Sequence, residues 1–119
     1  MLRFPRFGFL SAATVEYGSP EDPIEGAYLA GYSPYHNVRA GPGYPIMAFA
    51  AAMNDQTAPP YDPLKMVARL QAEATRGSPF LLFPLRDSRH GGGTTLTALI
   101  EQDVDELSFY CWAPDARPA

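Results

Sequence analysis

The sequence predicts an α/β fold built as a βαβα unit around a parallel sheet. Two apolar runs, residues 44–52 (YPIMAFAAA) and 79–85 (PFLLFPL), are bounded by turn-forming residues. A polar loop follows each run, and a stretch with helical spacing follows each loop. Unbroken apolar runs of this length suit strands covered on both faces. Strand–helix–strand order then implies a right-handed crossover between parallel strands.

Residues 1–18 read as irregular or partly helical, ending at Gly18. SPEDP (residues 19–23) reads as a helix start, with a polar cap, a proline and acids in the first turn. That helix runs through Ile24, Tyr28 and Leu29 and stops near Gly31, and residues 33–43 (SPYHNVRAGPG) form a turn-rich connection. The alanines of residues 44–52 would also suit a helix, but Pro45 and the short length favour a strand. Residues 63–75 place Leu64, Val67, Ala68 and Leu70 at helical spacing, with Asp62 as N-cap and Arg76-Gly77 as the stop. RDSRHGGG (residues 86–93) is a flexible loop after the second strand. From Thr94 to about Trp112, Leu96, Leu99, Ile100, Val104 and Leu107 mark a last amphipathic helix with a solvated acidic face, and the tail frays.

Composition narrows the function classes. A net charge of −4 and nine scattered basic residues argue against a nucleic-acid partner. No run of about 18 apolar residues is present, so no membrane span is expected. Pro5 and Gly8 break the N-terminal apolar stretch, against a secretion leader. The single cysteine, Cys111, allows no internal disulfide and no thiolate cluster; a reducing, cytoplasmic setting without metal or other cofactor is the expectation.

In open α/β sheets, functional groups sit beyond the carboxyl ends of the strands. Asp55 follows the first predicted strand and His90 the second. An acid and then a histidine at these places form the second half of an α/β-hydrolase triad, whose chain order is Ser, Asp or Glu, His. His90 would take the proton of the nucleophile and return it to the leaving group, while Asp55 holds one imidazole tautomer. Asp62 is the rival acid, but it reads better as a helix cap, and Asp87 is too near His90 in the chain to come from the preceding strand.

LRFPRF followed by VEYGSPEDP resembles the LRF…(T/S)EYGSPDDP segment of prolyl oligopeptidases. YLAGYSPYHNV is similar to their YLxxYSPYHNV, and YPIMAFAAAMND to the strand that delivers the catalytic acid. PFLLFPLRDSRHGGG resembles the segment ending in AGHGG, whose histidine is the base; NDQTAPPYDPLKMVARLQ is also similar to a stretch of oligopeptidase B. The resemblance covers about residues 2–112. It implies that residues 1–119 are the C-terminal part of a serine peptidase catalytic domain, without the nucleophile region and the β-propeller. It implies Asp55 and His90 as triad acid and base, and Tyr17 as a tyrosine lining the substrate pocket. His36 falls in a structural turn, as a packing or hydrogen-bonding residue.

Three departures shape the expected activity. None of the six serines lies in G-x-S-x-G, and the near miss GYSPY around Ser33 matches another family segment. Ala13 stands where the family has a tryptophan that stacks on proline, so strict proline specificity is not expected. Thr57 stands where an arginine binds a substrate carbonyl, and Arg89 precedes His90 in place of the usual small residue. The expectation is therefore a peptidase segment, inactive alone, that acts on peptides when an upstream portion completes it. The competing expectation is a non-catalytic protein-binding module or a degenerate relative, self-associating through an exposed sheet edge.

Overall fold

A computed structural model describes residues 2–41, 43–74, 79–90 and 95–115, with the backbone alone at residues 8 and 9. The predicted stop at Arg76-Gly77, the Gly91–Gly93 run and the tail beyond residue 115 lie outside these. The chain forms two compact units, divided between Val38 and Arg39.

The first unit opens with two 3-10 turns, Phe4–Arg6 and Gly8–Ala13, and a single α-turn, α1 (Thr14–Tyr17). Gly18 then adopts φ +89°, a left-handed conformation that favours glycine. Helix α2 spans Pro23–Tyr32. Its cap is Asp22, not the head of the SPEDP run: Asp22 Oδ1 accepts the N–H groups of Ile24 and Glu25, both at 2.9 Å. Pro23 takes the first helical position, where its missing N–H costs nothing. Glu25 reaches back to accept the Ser19 N–H at 2.7 Å. The YGSPEDP motif is thus a self-contained helix start.

The end of α2 is equally local. Asn37 Nδ2 donates to the carbonyls of Ala30 and Ser33, both at 2.8 Å. The same carbonyls also accept backbone donors, Ala30 from the Ser33 N–H and Ser33 from the His36 and Asn37 N–H groups. Ser33 is fully buried, and its Oγ lies 2.8 Å from His36 Nδ1. His36 therefore holds the turn as a hydrogen-bonding residue.

The second unit carries the sheet. β1 (Met47–Ala52) and β2 (Phe80–Leu85) pair in parallel, in register from Met47 opposite Phe80 to Ala52 opposite Leu85. The helix between them is α3 (Tyr61–Glu73), and α4 (Leu96–Trp112) follows β2. The predicted βαβα order is the observed one. Tyr44–Ile46 lie outside the ladder, and Pro84 sits within β2 opposite Ala51.

Three expectations are corrected. First, β1 is not covered on both faces: Ala51 is buried, but its neighbour Ala50 is exposed. Successive residues of a strand point to opposite faces, and α3 packs on this sheet while the described residues leave Ala50 open. Second, Asp62 is not the cap of α3. Pro60 occupies the N-cap, no side chain caps the helix, and Asp62 lies inside the first turn. The buried residues of α3 are Val67 and Leu70, flanked by half-buried Pro63 and by Ala74 just past its end, while Leu64 and Ala68 are exposed. Gln71 Nε2 pins this helix to the sheet through the Phe80 carbonyl at 3.0 Å. Third, α4 buries none of its described side chains: Leu96, Leu99, Ile100, Val104 and Leu107 are all exposed. It touches the sheet through Phe109, whose ring meets Phe83 edge-on at 6.4 Å. Thr95 Oγ1 caps it by accepting the Ala98 N–H at 3.2 Å.

Candidate active site

Two loops at the carboxyl ends of the paired strands form the site. In-register parallel strands end side by side, so the residues after Ala52 and after Leu85 are neighbours. The ladder extends one step further, with the Met53 N–H donating to the Leu85 carbonyl at 3.0 Å. Asn54 then bridges the loops twice. Its backbone N–H donates to the Ser88 carbonyl at 3.3 Å, and its side-chain Nδ2 donates to the Arg86 carbonyl at 2.8 Å.

Asp55 comes next and turns inward; its side chain is 7% exposed, against 57% for His90. Both carboxylate oxygens have partners. Oδ1 accepts the Thr57 and Ala58 N–H groups, each at 2.8 Å, and Oδ2 lies 2.9 Å from His90 Nδ1. Burial by itself pushes the Asp55 pKa up. The Ala58 N–H, the His90 side chain, the Thr57 N–H and the imidazole charge together outweigh that effect, and the carboxyl sits below its ordinary value.

That direction assigns the proton between the pair. An ionised carboxylate only accepts hydrogen bonds, so His90 Nδ1 is the donor. In the neutral ring Nε2 then keeps its lone pair, on a side chain more than half exposed. The arrangement is an oriented base, able to take a proton at Nε2 while the carboxylate stabilises the resulting cation.

A profile of the prolyl oligopeptidase family matches residues 5–115. The chain belongs to the prolyl oligopeptidase family. It is 39% identical over 113 residues to prolyl oligopeptidase ophP of Omphalotus olearius, an alignment covering 92% of this chain and 15% of that protein. Prolyl endopeptidase of Elizabethkingia meningoseptica is 33% identical over 110 residues, covering 92% of this chain and 16% of the relative. A solved chain from a structural study of two prolyl endopeptidases superposes with a TM-score of 0.90 at 33% identity, covering 98% of this chain and 17% of that one. The chain thus spans about one sixth of the length of these relatives. Its fold is the C-terminal βαβα portion of the family's α/β-hydrolase domain.

The other residues singled out by the family motifs stand as follows. Tyr17, at the end of α1, is exposed and meets Phe4 edge-on at 6.1 Å within the first unit. Ala13 ends the second 3-10 turn. Thr57 contributes its backbone N–H to Asp55, a role independent of the side chain that departs from the family pattern. Ser33 is closed to any substrate by its full burial. Asn54 and the Thr57 and Ala58 amides were not legible as site groups. The dipeptide Asn54-Asp55 is common at strand ends, and a backbone amide leaves no mark in a sequence.

Among the described residues, no group of three or more His, Cys, Asp or Glu side chains could hold a metal ion. Among the same residues, no helix is long and apolar enough to cross a membrane.

Proposed function

We propose that this chain supplies the acid and the base of a serine peptidase triad, with Asp55 and His90 in those roles. The 2.9 Å contact between Asp55 Oδ2 and His90 Nδ1 carries this reading. The serine comes from a segment corresponding to the remaining length of the relatives. His90 Nε2 removes the serine proton as the hydroxyl attacks the peptide carbonyl, and the imidazolium returns that proton to the leaving amine. Tyr17 lines the pocket for the residue before the cleaved bond. The prolyl names of the relatives point to proline there, and Ala13 in place of a large ring relaxes that preference. A cytoplasmic setting agrees with the lone cysteine.

The test is complementation. This chain is mixed with a separately produced upstream segment of a relative, and hydrolysis of prolyl and arginyl amides is followed. Activity is expected only in the mixture. Asp55→Asn should lower kcat by roughly 10⁴-fold and His90→Ala by roughly 10⁶-fold. Full activity with His90→Ala overturns the assignment of the base.

The exposed apolar residues of α4 and the two-stranded sheet favour a second reading, a module that associates with another protein or a second copy through these surfaces.

A further inference from the structure

Asp55 and His90 lie 35 positions apart, and nothing in the chain between them obliges the two side chains to meet. The carboxylate is fixed from its own side by the Thr57 and Ala58 amides. The histidine is different. It sits on a loop, its ring is largely in solvent, and holding it against the carboxylate requires that the loop backbone be anchored upstream of it. Three tethers do this. Met53 N–H binds the Leu85 carbonyl, Asn54 Nδ2 the Arg86 carbonyl, and Asn54 N–H the Ser88 carbonyl. Two of the three belong to Asn54, and its amide group provides one of them from the side chain. Ser88, at the end of that series, is itself buried two residues before His90.

We infer that Asn54 is the positioning residue of the pair: its carboxamide clamps the loop carrying the base to the loop carrying the acid. The inference rests on the proposed roles of Asp55 and His90. An aspartate at position 54 would match asparagine in size but lose the donor, placing a carboxylate against the Arg86 carbonyl. Glutamine keeps the donor on a longer stem. The clamp therefore predicts a graded order, wild type above Asn54→Gln, with Asn54→Ala and Asn54→Asp lowest.

Nuclear magnetic resonance on the whole chain tests this without any turnover. The His90 ring nitrogen shifts report the tautomer, and exchange of the Nδ1 proton reports how persistently Asp55 holds it. Asn54→Ala and Asn54→Asp should speed that exchange by about five- to tenfold, as loss of one hydrogen bond does, and Asn54→Gln should recover part of it. A merely structural role would lower the thermal midpoint and leave the ring signals of the folded fraction unchanged; that result overturns the inference. A direct measurement stands beside the variants. Coupling across the hydrogen bond from Asn54 Nδ2 to the Arg86 carbonyl is expected in the unaltered chain, and its absence overturns the inference even where a variant fails to fold. Asp55→Asn separates the two levels. If it leaves the His90 ring signals as they are in the wild type, the acid–base pairing itself is wrong, whatever the Asn54 variants do.

Discussion

At the residue scale, Asp55 concentrates the chemistry because three donors converge on one buried carboxylate. Its lowered pKa makes folding depend on pH in a definite direction. The native state releases this proton more readily than the unfolded chain, so the carboxylate contributes stability above the unfolded value of about pH 4. That contribution is lost as pH falls through the lower native value. Urea midpoints measured from neutral pH down to about pH 2 should show wild type ahead of Asp55→Asn at neutral pH, with the gap closing below about pH 4. A gap that stays constant across this range contradicts the direction of the shift.

At the scale of elements, the helix starts and ends are determined over a few residues. Asp22, Pro23 and Glu25 close the start of α2, and Asn37 closes its end. Gly26 lies inside that helix, where alanine is ordinarily better by about 1 kcal/mol. Here a Cβ would stand 2.7 Å from the Pro20 carbonyl oxygen, a backbone atom that cannot swing aside. Gly26→Ala should therefore destabilise the helix start by roughly 1–3 kcal/mol, reversing the usual sign. Loss of α2 amide protection in hydrogen exchange would register it; a gain in stability would show that the Pro20 turn yields. The core face of α3 is set differently. Leu70 is fully buried under the sheet unit's contacts, and truncation to alanine should cost about 2–5 kcal/mol. Leu64→Ala, on the exposed side, should cost far less, and comparison of the two midpoints checks the facing of the helix.

At the scale of the whole molecule, α4 is the unusual feature. The five apolar residues that mark its amphipathic stripe are exposed, and Tyr110 and Trp112 add to them. A helix with this much unburied apolar surface is expected to find a partner. If the second reading holds, sedimentation of the chain should show association that weakens with dilution. Ile100→Lys with Val104→Lys should shift it towards monomer. If the peptidase reading holds, the same pair of substitutions should lower the yield of active complex in the complementation assay, while leaving the His90 ring signals of the chain unchanged. Both measurements are needed, because the same apolar stripe serves either role.

The residue types, their order and their motifs were enough to establish the family, the βαβα order and the two loops where an acid and a histidine stand. Local hydrogen bonds explain that reach: YGSPEDP and SPYHNV are legible as a helix start and a turn because their partners lie within a few positions, although the cap falls at Asp22 rather than at the head of the run. What remained closed was everything set by partners far away in the chain. The periodicity of α3 contained more than one apolar line, and only packing on the sheet selected Val67 and Leu70 over Leu64 and Ala68. The stripe on α4 was visible, yet a period shows an apolar face and not what covers it. Asp55 and His90 were named as a pair from their places after two strands together with the family motifs around them. Only the in-register ends of β1 and β2, with Asn54 tying one loop to the other, bring carboxylate and imidazole to 2.9 Å.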